Sequence, residues 1–260
     1  MGLVVAKCTN CGANLEVDPK LDAAICPFCN SAYIVEKAIN NYNIGNINAN
    51  VVNIYGCNIT NDFVIRAGIL ESYNGASSDI IVPDNVIKIS QKAFSGLPGI
   101  RTIALSKSIS EIPDAAFEGC ADLEEVIICS GVKTIGQRAF SGCSKLKEII
   151  LPDSVEDIGD KCFADCALLA SVKLPAGLKN IGNYMFVRCS SLKDICIPDT
   201  VLTIGNSAFS NCSKLQSVTI PKGLKSIDSY AFENCYALRK NSLNIPNTCY
   251  KIGKNALPLF

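Results

Sequence analysis

A period of 23 residues runs through the chain from Ile80 onward, and it limits the possible folds more than any single motif does. Stepping from Ile80 by that period lands on Ile103, Val126, Ile149, Val172, Ile195 and Val218, seven units without a gap. Two positions into each unit lies a second apolar residue (Val82, Leu105, Ile128, Leu151, Leu174, Ile197, Ile220), usually followed by proline, as at Pro83, Pro152, Pro175, Pro198 and Pro221. Nine positions in is always isoleucine, from Ile89 to Ile227. Fourteen in is always phenylalanine: Phe94, Phe117, Phe140, Phe163, Phe186, Phe209 and Phe232. A degenerate eighth unit starts near Leu243 after a two-residue slip and carries Ile252, Leu257 and Phe260.

The alternation x-Ile-x-Ile closed by proline predicts a short strand, because proline cannot donate to the next ladder position. The Ile-Gly-x-x-Ala-Phe segment, as in Ile135 to Phe140, predicts a turn with a short helical or 3₁₀ piece that carries Ala and Phe inward. One such rung cannot bury its apolar side alone. Stacking rungs at a strand spacing of about 4.8 Å buries a continuous Ile/Leu/Phe core, so residues 80–260 are expected to form a solenoid of short parallel strands and short helical turns. Before it, residues 62–79 hold two alternating runs around Ala67-Gly68, which predicts a β-hairpin capping the first rung.

Units of 20 to 29 residues are shared by leucine-rich repeats in general. The particular form here, Leu146-x-x-Ile149-x-Leu151-Pro152-Asp153-Ser154-Val155-x-x-Ile158-Gly159, resembles the BspA-like leucine-rich repeat family over about residues 62–260. The resemblance implies a non-catalytic binding protein whose concave strand face meets its partner. The residues at that place are Ile81, Ala104, Ile127, Ile150, Lys173, Cys196 and Thr219, flanked by Thr102, Glu125 and Glu148. An apolar stripe with an acidic rim suits a protein partner, and Ala104, Glu125, Ile127, Glu148, Ile150 and Lys173 are the expected contact residues. Glu125 and Glu148 would stand about 5 Å apart, near a retaining glycosidase pair. That spacing follows for any two equivalent residues of a solenoid, however, so no enzyme is inferred.

There are 15 cysteines, and six recur seventeen positions into their units: Cys120, Cys143, Cys166, Cys189, Cys212 and Cys235. Equivalent side chains on stacked rungs stay near the rung spacing, longer than the roughly 3.8 Å between Cβ atoms that a disulfide requires. A column of compact buried thiols is therefore expected rather than a redox or metal ladder. Cys57, Cys129, Cys162, Cys196 and Cys249 follow no common pattern.

A different cysteine pattern occupies residues 1–38. Cys8-Thr-Asn-Cys11-Gly12 and Cys26-Pro-Phe-Cys29-Asn30 are two C-x₂-C knuckles, and four thiolates so placed can close a tetrahedral Zn²⁺ site. A segment of this size has too small a core to fold without such a staple. The expectation is a small zinc-ribbon β domain with Cys8, Cys11, Cys26 and Cys29 as ligands of a structural Zn²⁺. The runs at Leu15–Val17 and Ala24–Ile25 are read as a hairpin joining the knuckles across Asp18-Pro19. Many ribbons bind nucleic acid, which makes nucleic-acid association through this segment the alternative function. Lys7, Lys20 and Lys37 against Glu16, Asp18, Asp22 and Glu36 are a poor phosphate footprint and weigh against it. Residues 39–61, with nine asparagines between 40 and 61, read as a linker or an irregular β segment.

Lys plus Arg equals Asp plus Glu, 24 of each, so no global field draws the chain to nucleic acid or to an anionic membrane. Histidine is absent, which removes Ser-His and Cys-His catalysis and histidine metal ligands. No run reaches the roughly 18 to 20 apolar residues of a membrane helix, and MGLVVAKC lacks the pattern of a signal peptide. With many unpaired cysteines, this reads as a cytoplasmic chain, unlike the export common among BspA-like proteins. The apolar ending Leu257-Pro-Leu-Phe260 suggests a homodimer through the C-terminal rung.

Overall fold

The computed structural model describes residues 62–239 and 242–258, together with the backbone of six short strands nearer the N-terminus. The chain divides into two compact units, Met1–Asp62 and Phe63–Phe260.

In the first unit the strands pair as separate hairpins. Val4–Lys7 lies antiparallel to Asn14–Val17, and Ala23–Ile25 antiparallel to Ala32–Ile34. The expected pairing across Asp18-Pro19 is not among the described ladders. Each hairpin instead encloses one C-x₂-C segment, since Lys7 is partnered with Asn14 and Ile25 with Ala32. Within the Asn-rich segment, Val51–Ile54 and Cys57–Thr60 also pair antiparallel.

The second unit opens on a hairpin, Phe63–Arg66 with Ile69–Tyr73, turned by Ala67 and Gly68. Both turn residues have positive φ, 49° and 76°, the geometry that matches the twist of the flanking strands. Ile69–Leu70 then pairs in parallel with Lys88–Ile89, so the hairpin joins a ladder of the solenoid.

Each rung contributes two strands. The first ladder stacks Asp79–Ile81, Thr102–Ala104 and Glu125–Ile127, then Glu148–Ile150 with Ser171–Lys173, then Asp194–Cys196 with Ser217–Thr219, all parallel. The second ladder is made of two-residue strands ending in the isoleucine nine positions in. Glu111–Ile112, Thr134–Ile135 and Asp157–Ile158 form one section. Asn180–Ile181, Thr203–Ile204, Ser226–Ile227 and Lys251–Ile252 form another.

The segment after the second strand was expected to hold a short helical or 3₁₀ piece. Among the described residues there is neither, and the segment is a chain of tight turns. The reason lies in two left-handed positions per rung. Lys92, Ala115, Arg138, Lys161, Tyr184, Ser207 and Tyr230 have φ between 50° and 60°. Four residues further on, Gly96, Gly119, Gly142, Asp165, Arg188, Asn211 and Asn234 have φ between 58° and 77°. A helix needs successive residues near −60°, so neither kind of helix can pass through this spacing. The N–H groups that a helix would use internally bond to the next rung instead, as Phe117 N to Ala139 O at 2.8 Å and Phe140 N to Cys162 O at 2.9 Å.

The core is one continuous cluster from Leu70 to Ala256. Its axis is the phenylalanine column, in which all seven rings are fully buried. From Phe94 to Phe232 they stack with centroids 5.0 to 5.6 Å apart and planes within 16° of parallel. Each stacked pair adds about 0.5–1.5 kcal/mol beyond area burial. Glycine is required ten positions into the middle rungs, where the backbones touch. A Cβ on Gly159 would lie 2.4 Å from Gln137 N.

Candidate functional site

Residues that flank a buried strand position point outward, so each first-ladder strand presents two side chains per rung. Register puts Ile81, Ala104 and Ile127 in one column and Asp79, Thr102 and Glu125 in the other. The same columns continue as Ile150 with Lys173 and Glu148 with Ser171. All six expected contact residues therefore lie on one face, although the ladder is interrupted between Glu125–Ile127 and Glu148–Ile150. Ile81, Ile127 and Ile150 are each 55 % exposed, while Ile80, Val126 and Ile149 between the columns are buried. Ala104 is half-buried, and Glu125, Glu148 and Lys173 are exposed.

Charges border this stripe without enclosing it. Lys147 reaches Glu124 at 2.6 Å, and Arg101 reaches Asp79 at 3.5 Å. The hydrogen bond and charge of Lys147 hold the Glu124 carboxyl below its usual range. Hydrogen bonds from Ser78 and Thr102, with the charge of Arg101, do the same for Asp79. Glu148 accepts from the Ser171 hydroxyl at 3.3 Å. Asp79 and Glu124 are thus held toward the ionised form, the opposite of what a general acid requires.

The cysteine column is buried as expected, and the structure adds the role of its polar atom. Each thiol donates to the carbonyl of the phenylalanine one rung back, from Cys120 to Phe94 at 3.0 Å through Cys166 to Phe140 at 3.2 Å to Cys235 to Phe209 at 3.1 Å. Those carbonyls also take a backbone bond, as from Cys143 N to Phe140 O. Burial pushes the Cys120 thiol up to about 11 and that of Cys235 up to about 12, and drives Cys143, Cys162, Cys166, Cys189 and Cys212 far up as well. A thiol kept protonated is neither a nucleophile nor a metal ligand at neutral pH. Of the cysteines outside the pattern, Cys162 is buried, Cys196 is exposed, and Cys129 donates to Leu105 O at 3.0 Å. Sequence reading found the column from its period but missed the carbonyl partner. The signal that could have found it is the regular offset between phenylalanine and the cysteine one rung on.

Among the described residues no cluster of histidine, cysteine and carboxylate side chains could hold a metal, and no helix is long and apolar enough to cross a membrane. Cys8, Cys11, Cys26 and Cys29 lie outside the described residues.

A family model described as the BspA type leucine-rich repeat region matches residues 71–192 and 133–258, with six copies. Among solved structures, a leucine-rich repeat protein from Bacteroides ovatus is similar at 26 % identity and TM-score 0.66, over 78 % of this chain and 51 % of that one. A T. pallidum leucine-rich repeat protein is similar at 27 % identity and TM-score 0.64, over 67 % of this chain and 84 % of that one. One from Eubacterium ventriosum reaches 27 % identity and TM-score 0.55, over 80 % and 49 %. The chain thus spans about half the length of the Bacteroides and Eubacterium proteins. No curated protein matches it significantly.

Proposed function

Because the chain belongs to the BspA-type leucine-rich repeat family, we propose that it is a non-catalytic scaffold whose outward first-ladder face seats a protein partner. The observation that carries this reading is the row of Ile81, Ala104, Ile127 and Ile150, three of whose side chains leave half their area in water on a rigid ladder. Covering each isoleucine is worth about 1 kcal/mol, and the ladder holds them in place before the partner arrives. Glu125, Glu148 and Lys173 border the row and would fix register more than they add affinity.

The test is affinity capture with the purified chain and with Ile127→Asp/Ile150→Asp. A protein held stoichiometrically by the parent chain should be lost from this variant and kept by Ile87→Asp/Leu202→Asp, which changes two exposed apolar side chains elsewhere. Equal retention by both variants would remove the first-ladder face from the interaction.

For the N-terminal unit the proposal is a structural Zn²⁺ held by Cys8, Cys11, Cys26 and Cys29. Two features support it. The donors are four thiolates, the usual closed set for this ion. Each C-x₂-C also begins directly after the outgoing strand of a hairpin, at Lys7 and at Ile25. Bound there, the metal would fasten two hairpins that are each too small to persist alone. Metal analysis should find one zinc per chain, lost on Cys26→Ser.

A further inference from the structure

The turn side of the solenoid carries a groove of about 520 Å³ running along the stack, away from the first-ladder face. Its floor is the column of small or buried side chains at Ser141, Ala164, Val187 and Ser210, and its walls are the two left-handed columns. Backbone conformation makes those walls notable. At φ of 50° to 60° a side chain costs about 1 kcal/mol relative to glycine, yet one wall reads Lys92, Ala115, Arg138, Lys161, Tyr184, Ser207 and Tyr230 without a glycine. The other wall is glycine at Gly96, Gly119 and Gly142, then changes to Asp165, Arg188, Asn211 and Asn234 at the same φ where the groove lies. Strained side chains kept along one face point to a use for them.

The chemistry of the groove selects the occupant. Arg188 is already bound to Asp165 through both ends of its guanidinium, with Nη2 to Oδ2 at 2.7 Å. Arg138 meets Glu118 only at 3.6 Å and is half exposed. Among the described residues Lys161 has no carboxylate in ion-pair range, and its Nζ sits 5.1 Å from the centroid of the Tyr184 ring. The lining therefore sums to one net positive charge, Arg138, Lys161 and Arg188 against Glu118 and Asp165. Among the described residues Lys161 is free of a carboxylate partner, and Arg138, one rung away, is held only by the long contact to Glu118. A continuous phosphate backbone would meet Glu118 at the end of the floor and Asp165 in one wall, which disfavours nucleic acid. A polypeptide brings discrete carboxylates and also N–H donors for the acidic and hydroxyl groups between them. From Glu118 to Asn211 the groove spans five rungs, roughly 19 Å at strand spacing, which an extended chain covers with about six residues.

We propose that the turn-side groove docks an extended, acidic polypeptide segment, with Arg138 and Lys161 taking its carboxylates. The test is fluorescence anisotropy at low salt with labelled hexaglutamate as the probe, and with hexalysine and a hexamer of galacturonate for comparison. Arg138→Gly/Lys161→Gly is the decisive variant, because glycine suits both backbone positions and a thermal melt should show stability kept or raised. Hexaglutamate should bind saturably, weaken about tenfold or more in this variant, and bind Ile127→Asp/Ile150→Asp unchanged, while hexalysine does not bind. No saturable binding, or equal binding by the glycine variant, would overturn the site. Tighter binding of the galacturonate hexamer would overturn the polypeptide and leave an acidic polysaccharide. Since these residues are remote from the first-ladder stripe, failure here and failure of the scaffold reading are separate results.

Discussion

Raising the pH should unfold this solenoid about a unit earlier than lysine or tyrosine titration would require. Seven buried thiols, Cys120, Cys143, Cys162, Cys166, Cys189, Cys212 and Cys235, are held by burial well above the ordinary thiol value. The sign follows from proton counting. Well below about pH 8.5 the thiols are protonated in both states, and their contribution to stability is fully present. Above it the unfolded chain releases protons that the folded chain keeps, so stability falls as pH rises until the folded values are reached, about 11 at Cys120 and about 12 at Cys235. One unit above the ordinary value each thiol favours the unfolded chain by about 1.4 kcal/mol. Seven together approach about 10 kcal/mol by pH 9.5, comparable with the whole stability of a typical domain. Urea titrations in reductant at pH 7.5, 8.5 and 9.5, followed by far-ultraviolet circular dichroism, should show a loss of about 2.5 kcal/mol over the first step and about 7 kcal/mol over the second. Cys120→Ala/Cys143→Ala/Cys235→Ala should shallow the alkaline slope by about three-sevenths. An equal midpoint at pH 8.5 and 9.5 would refute the reasoning.

Phe163→Leu removes a ring stacked on both sides, against Phe140 and Phe186, whereas among the described residues Phe232 stacks on Phe209 alone. In urea melts the central substitution should cost about 0.5–1.5 kcal/mol more than Phe232→Leu, and a larger cost at Phe232 would contradict the ring-column account. Gly159→Ala places a Cβ 2.4 Å from Gln137 N and should cost about 1–3 kcal/mol. Gly177→Ala meets nothing within 4 Å and should be close to neutral by the same assay. On the proposed zinc reading, a chelator added to the whole chain should abolish amide-exchange protection in the N-terminal unit and leave Phe63–Phe260 protected, because the two units are compact separately.

The stack was legible in the sequence because its core side chains repeat without a gap, and burial rather than local propensity decides such a fold. The isoleucines from Ile89 to Ile227 and the phenylalanines from Phe94 to Phe232 are all at most 5 % exposed, as their period implies. The turn segment was misread for a physical reason. Ala-Phe after Ile-Gly looks like a helix start, but Lys, Arg, Ser and Tyr at the left-handed position give no warning of positive φ, since only stacking forces that conformation on them. The apolar stripe was found from its offset, and its exposure at Ile127 and Ile150 follows directly. The turn-side groove was not legible. Its walls come from positions that vary in the sequence, and although the period makes Arg138, Lys161 and Tyr184 neighbours, nothing in it shows that their left-handed backbone sets them along a groove.

A solenoid changes what counts as a sign of function. Any two residues one period apart become neighbours, so Lys133 meets Glu156 at 2.9 Å, Lys145 meets Asp122 at 2.8 Å and Lys251 meets Asp228 at 2.9 Å simply by column. Exposed pairs of this kind contribute little stability and identify no site. The informative positions are those where a column changes character while its backbone does not. The outward first-ladder column is apolar from Ile81 to Ile150 and turns polar at Lys173, which marks an end to the stripe with no change in strand geometry. The second left-handed column passes from Gly142 to Asp165 at nearly constant φ, 77° and 62°, which marks where the turn-side walls begin. Both changes fall at neighbouring rungs in the middle of the stack, where the isoleucine and phenylalanine columns of the core are unchanged but its buried alanine column, Ala93, Ala116 and Ala139, becomes Cys162 and Met185 before returning to Ala208. Since the isoleucine and phenylalanine columns continue through those rungs, the changes at Lys173 and Asp165 are changes of surface on an unbroken stack, and they mark the rungs at which substitutions should first be tested for loss of binding.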